Sequence, residues 1–199
     1  MLARPEVAAV GLLGRRASGC VDPRAQDLLV ASFDALEPVA DRLAPWDACF
    51  YCAGAPPLGT AEAEYRLVTV DLTLAVARAY AECNARGRFL YVSGALADPA
   101  RRVMPLRVKG EAEAGLRALP IRTVMLRPGG IQPVHGERSP HAWMRPLYAF
   151  DAPFMGLGVK LMPAAMTSTA ALGRALLALA AMPDPPAVVE NAEINRLGG

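Results

Sequence analysis

Apolar positions recur along this chain in two rhythms. Short, mainly apolar runs stand at 7–13, 27–31, 48–53, 88–92 and 121–127. Turn-forming residues close several of them: Gly14, Gly54-Ala55-Pro56-Pro57, Ser93-Gly94 and Pro128-Gly129-Gly130. Continuous runs of this length predict strands covered on both faces, since a half-exposed strand would alternate polar and apolar residues. The second rhythm is helical. Residues 34–43 place Leu36, Val39, Ala40 and Leu43 at helical spacing. Residues 70–86 predict a long helix stopped by Gly87, and 106–118 a second one ending before Pro120. A late helix spans 170–182, with Ser168 or Thr169 as its N-cap, and 187–190 adds a last short strand.

Strands and helices alternate throughout, which predicts a doubly wound, mostly parallel α/β sheet of the Rossmann type. We expect one domain over 1–199. Residues 132–166 break the alternation and read as an insertion or lid on the substrate side, over the carboxyl ends of the strands. The lid carries both histidines, His135 and His141, and an apolar stretch from Trp143 through Met144, Leu147, Tyr148, Phe150 and Phe154 to Met155. That stretch suits a packed lid or a subunit contact, which leaves a homo-oligomer open. A hydrophobic substrate pocket is the sharper alternative for it, with His135 at its border.

Composition narrows the function classes. The 199 residues are 53% hydrophobic and 20% charged, as a folded globular chain requires. A net charge of +2 gives no broad electrostatic footprint for nucleic acid. The most apolar stretch, 170–182, contains Arg174 and is too short to span a bilayer. No basic segment followed by an apolar core opens the chain, so we expect no signal peptide and a cytoplasmic location. Cys49 and Cys52 form a C-x-x-C on an apparent strand. Residues three apart on a strand project to opposite faces, so a structural role is expected and no metal site.

Three features stand where a dinucleotide site would need them. Gly14-Arg15-Arg16 follows the first run, where an arginine can pair with a ribose 2′-phosphate. Ala53-Gly54 ends the third run, and small residues there let the backbone approach a cofactor. Tyr91-Val92-Ser93-Gly94, then Lys109 in Arg107-Val108-Lys109-Gly110, then Leu126-Arg127-Pro128-Gly129-Gly130-Ile131 form an ordered series. In order and spacing these pieces resemble the atypical short-chain dehydrogenase/reductases, in the epimerase-like NAD(P)-binding group. Further matching pieces are Tyr65-Arg66-Leu67-Val68-Thr69-Val70-Asp71-Leu72-Thr73 and Glu190-Asn191-Ala192-Glu193-Ile194-Asn195. The resemblance runs from about Leu2 to Asn195.

The resemblance implies roles. Ser93 and Lys109 are the candidate catalytic residues, Ser93 beside the nicotinamide and Lys109 on its ribose. Pro128, Gly129 and Ile131 match the loop that cups the nicotinamide end. Arg15 and Arg16, beside Gly14, favour NADP, with NAD as the alternative. A small-molecule substrate follows.

Two departures qualify this. Pro105 stands four residues before Lys109, where the signature has a tyrosine. Proline has no side-chain proton to pass to or from a substrate oxygen. The sequence also contains no G-x-x-G-x-x-G loop, whose amides would meet a pyrophosphate. Residues 1–6 match the end of the helix that follows that loop, so the first β-α unit, about 20 to 25 residues, is expected to be absent. In the 3-2-1-4-5-6 order its strand would be central. We therefore expect unpaired edges on the first and third visible strands and a truncated, functionally impaired chain. An NAD(P)-dependent oxidoreductase or epimerase is the leading reading. A non-catalytic NADP(H)-sensing or protein-binding module is the alternative.

Overall fold

The computed structural model describes residues 2–134, 162 and 164–199. His135, His141 and the 143–155 stretch of the expected lid lie outside the described residues. Eight strands are described: β1 (Val10–Gly14), β2 (Ala25–Leu29), β3 (Ala48–Tyr51), β4 (Arg88–Val92), β5 (Arg122–Arg127), β6 (Gly130–Gln132), β7 (Met166–Ser168) and β8 (Val188–Glu190). The helices are α1 (Glu62–Arg66), α2 (Leu72–Cys83), α3 (Met104–Arg117), α4 (Thr169–Ala181) and α5 (Asn191–Leu197). A 3₁₀ segment covers Glu37–Leu43, and a π-helical turn, Leu67–Asp71, joins α1 to α2.

Three ladders result, in the orders β1-β2, β3-β4-β5-β8 and β6-β7. Every described strand register is parallel: Leu12 pairs with Asp27, Phe50 with Leu90, Leu126 with Val189 and Ile131 with Thr167. This is the α/β Rossmann-type arrangement expected from the alternation of runs. The chain divides into two compact units, one of residues 1–91 and 97–124, the other of 92–96 and 125–199.

In the first unit the expected open edge is seen. The Val10 N–H donates to the Arg24 carbonyl at 2.9 Å, and the Val30 N–H to the Gly14 carbonyl at 3.0 Å. By the alternation of a parallel ladder, Val10, Leu12 and Gly14 therefore face β2, while Gly11 and Leu13 turn their N–H and C=O away from it. On β3 the Arg88 N–H donates to the Asp47 carbonyl at 3.2 Å, which turns Ala48 and Phe50 away from β4. β1 and β3 do not pair with each other. Burial follows the pairing. All five β1 residues are half-buried, whereas Phe89, Leu90 and Tyr91 on β4 are fully buried.

The same unit packs its helices tightly. Residues 2–6 form turns, where the resemblance implied a helix end. The long helix begins at Glu62, earlier than the expected position 70, with Glu62 and Glu64 in its first turn. The Thr73 hydroxyl donates to the Thr69 carbonyl at 2.8 Å across the π turn. Arg107 bridges α3 to Glu62 at 2.5 Å, and Arg66 pairs with Glu111. Gly110 lies flush on the loop before α3, where a Cβ would overlap the main chain of Asp98 and Pro99.

The second unit is built around α4. The Ser168 hydroxyl accepts the Ala171 N–H at 3.1 Å, so Ser168 is the N-cap. Val189, Ile194, Ala175 and Leu179 are fully buried. The Arg174 Nε donates to the Gly198 carbonyl at 2.6 Å, tying the end of α5 to α4.

Gly110→Ala should lower stability by about 1–3 kcal/mol, the usual cost of overpacking. Urea denaturation reads it, and an unchanged midpoint would show that the 98–99 loop can give way.

Candidate functional site

The sequence places site residues on both units. In the first, Gly14 closes β1, and the next two residues, Arg15 and Arg16, are exposed. The Ser18 amide, two positions beyond Arg16, donates to the Asp27 carboxylate at 3.1 Å, which folds this loop back over β2. Ala53 and Gly54 follow β3 and are exposed, with nothing within 4 Å of a Cβ placed on Gly54. Packing therefore does not require glycine at position 54. Gly14 is tighter, with the Arg16 carbonyl 3.3 Å from such a Cβ.

Lys109 lies on α3. Pro105 occupies the first turn of that helix, where a missing N–H costs nothing. This explains locally why proline is accepted at the position that the resemblance assigns to tyrosine. Lys109 is partly buried, and burial lowers its pKa, partly offset by Glu113 one turn on. Glu113 is itself fully buried and accepts a hydrogen bond from Arg117 at 3.0 Å. Lys109 is thus a desolvated cation above a buried carboxylate, not the solvated surface residue that its helix position alone would suggest.

The second unit brings Ser93, Pro128, Gly129 and Ile131 together. The Ser93 N–H donates to the Leu126 carbonyl and the Ala95 N–H to the Pro128 carbonyl, both at 2.8 Å. The serine segment therefore runs hydrogen-bonded beside the end of β5. Ser93 is 2% exposed. Three residues on, Leu96 has φ 63° yet is 61% exposed. A left-handed leucine costs about 1–2 kcal/mol, and strain of this kind concentrates at ligand sites.

The turn after β5 is closely fitted. A Cβ on Gly129 would overlap the Ala165 carbonyl oxygen. The Gly130 N–H donates to that same carbonyl at 2.9 Å, and the Gly129 N–H to the Asn191 side-chain oxygen at 2.8 Å. By ladder alternation Gly130 and Gln132 face β7, which leaves the Ile131 N–H and C=O directed away from it. One donor of the three in this turn is thus offered outward. Thr167, the register partner of Ile131, is fully buried, and its hydroxyl has no hydrogen-bond partner among the described residues.

Sequence reasoning missed Asn191, Asn195 and Arg127. Arg127, at the end of β5, pairs with Glu190 at 3.1 Å. The Asn191 and Asn195 side-chain amides both donate to the Met166 carbonyl, at 2.8 and 2.7 Å. The signal was present in the matching piece 190–195, but no rule of spacing gives an asparagine its partner.

The C-x-x-C straddles the end of β3, with Cys49 on the strand and Cys52 exposed just past it. All four are free, and burial pushes the Cys49 thiol up to about 12, with Cys52 adding to the rise. Among the described residues no cluster of His, Cys, Asp and Glu could hold a metal ion, and no helix is long and apolar enough to cross a membrane.

The chain has two lysines, Lys109 and Lys160. The ¹³C-dimethyllysine resonance of Lys109 should therefore titrate below the ordinary lysine value. Because its folded pKa lies under its unfolded one, stability should rise as pH climbs through the folded pKa towards the unfolded value. An ordinary midpoint for both resonances would contradict the desolvation.

No protein-family model matches the chain, and no curated protein matches it in sequence. Solved structures do match. MoeE5 in complex with UDP-glucuronic acid and NAD is 18% identical with a TM-score of 0.67, over 92% of this chain and 68% of that one. The Bordetella bronchiseptica enzyme WbmF in complex with NAD+ is 14% identical with a TM-score of 0.62, over 95% and 69%. WbmG of the same organism, also with NAD, is 14% identical at 0.60, over 92% and 64%. The chain therefore spans about two thirds of the length of these neighbours. At such identities the likeness is one of architecture, and it establishes a Rossmann-type fold shared with proteins solved with NAD bound.

Proposed function

We propose that this chain is an NAD(P)-dependent oxidoreductase or epimerase-like protein acting on a small molecule. The observation that carries this is the second unit's turn. Ser93–Ala95 lies bonded along Leu126–Pro128, and Gly129 and Gly130 spend their amides internally while Ile131 offers its own outward. A main-chain N–H turned away from its own ladder, in the turn that follows the serine-bonded end of β5, suits the carboxamide end of a nicotinamide. When bound, the dinucleotide would supply hydride transfer. Pro128, Gly129 and Ile131 would hold its nicotinamide end, with Ser93 facing the reacting carbonyl and Lys109 serving the ribose. Arg15 and Arg16 would meet a 2′-phosphate, which makes NADP the preferred form and NAD the second. The NAD-bound neighbours support a nicotinamide dinucleotide in general, and the nucleotide sugars named with them suggest a polar small-molecule substrate.

The second unit's turn suits the nicotinamide end of such a cofactor, while the 199 residues hold no glycine-rich loop for its pyrophosphate. Proton transfer would be impaired by Pro105, which has no side-chain proton. Pro105 also favours the second reading, a non-catalytic NADP(H)-sensing or protein-binding module.

Titration with NADPH and NADH, on this chain and on one preceded by a strand–loop–helix unit carrying G-x-x-G-x-x-G, separates these readings. We expect weak binding by the former and at least about tenfold tighter binding by the latter, equivalent to about 1.4 kcal/mol or more. Replacing Arg15 and Arg16 by alanine should weaken NADPH by about 1.5–3 kcal/mol, roughly ten- to a hundred-fold, and spare NADH. Pro105→Tyr in the extended form should create carbonyl-dependent NADPH oxidation. If neither form binds either nucleotide, the cofactor reading falls; if the extended form binds but Pro105→Tyr stays inert, the sensing module is favoured.

A further inference from the structure

Asn191 is the first residue of α5, is 2% exposed, and bonds two pieces of chain far from it in sequence. Its side-chain oxygen accepts the Gly129 N–H at 2.8 Å, and its side-chain nitrogen donates to the Met166 carbonyl at 2.8 Å. One planar amide therefore ties the end of β5 to the start of β7. It does so where the 164–166 segment already presses on the turn: Gly129 has no room for a Cβ beside the Ala165 carbonyl, and Gly130 donates to that same oxygen. Asn195, one helical turn on, donates to Met166 at 2.7 Å, whereas the Gly129 N–H goes to Asn191.

These contacts decide which amide the turn presents. Gly129 is held by Asn191 and Gly130 by Ala165, so the outward donor is that of Ile131. Without Asn191 the Gly129 amide, partly buried beside a strand end, would lose its acceptor, and the peptide could rotate to seek another. Rotation there would swing Gly130 and Ile131 with it. An asparagine is the fitting residue for the task because a single side chain must accept on one side and donate on the other.

We propose that Asn191 is the positioning residue of the 128–131 turn, fixing the Ile131 N–H as the donor presented to a bound ligand. The ligand part of this rests on the reading of the turn as a nicotinamide-end site. The clamp itself does not, so the experiment has two arms.

The first arm is amide hydrogen exchange in the free protein. Asn191→Ala should speed exchange at Gly129 by about a hundredfold, since local opening alone then exposes it. Asn195→Ala removes a bond to the same carbonyl but none to Gly129, and should change Gly129 by less than about threefold. The second arm is NADPH affinity, which Asn191→Ala should weaken by at least about tenfold. Asn191→Asp gives the specific signature. Its carboxylate still accepts from Gly129 but cannot donate to Met166, so at one pH Gly129 should stay at least about tenfold better protected than in Asn191→Ala. A merely structural asparagine would leave Gly129 equally affected in both variants. Unchanged Gly129 exchange in Asn191→Ala, or an equal loss of protection in Asn191→Asp, would overturn the clamp. If Asn191→Ala does not fold, Asn191→Leu, of similar size and without an acceptor, takes its place in the comparison. If exchange responds as stated but the wild-type chain binds no NADPH, the clamp stands and the cofactor reading fails.

Discussion

A strand inside a parallel sheet has two rows of peptide groups and needs a partner for each. Much of this structure turns on one place where that requirement is half met. β1 is bonded to β2 and β3 to β4, yet β1 and β3 are not bonded to each other. Gly11, Leu13, Ala48 and Phe50 turn their backbone groups into the break. A buried group without a partner costs about 1–3 kcal/mol, so such a row can persist only where solvent reaches it. The half-buried state of every β1 residue is the visible result. In a doubly wound sheet the phosphate loop follows a strand at such a central position.

The second unit shows the opposite case, with several polar groups bonded within it. Gly129 and Gly130 are bonded within the unit, Met166 is held by two asparagines, and Arg174 holds Gly198. Left over among the described residues are the peptide of Ile131, turned away from β7, and the buried hydroxyl of Thr167. In the first unit, proline at position 105 satisfies the helix start and carries no side-chain proton.

Most of the fold was legible in the sequence because fully buried parallel strands announce themselves as unbroken apolar runs. Arg88–Val92 appears where its run predicted, and β5 begins one residue inside its own. The start of the long helix was obscured by Val68, Thr69 and Val70, a β-branched run that masks helical spacing and that the chain accommodates as a π turn. The β6-β7 pair was missed because three-residue strands carry no period. Of the site, Ser93 and the 128–131 turn were found through resemblance, and the structure bonds them together. Asn191 escaped because its partners, Gly129 and Met166, are 62 and 25 positions away. The burial of Lys109 escaped because a lysine on a helix ordinarily keeps its charged end in water.

The central claim is that the sheet is open between β1 and β3, and residue-resolved hydrogen exchange tests it most directly. Alternate amides should differ sharply within each strand: Leu12, Gly14, Cys49 and Tyr51 slow, Gly11, Leu13, Ala48 and Phe50 at least about tenfold faster. Uniform slow exchange along both strands would mean that the edges are paired after all, and would contradict the account.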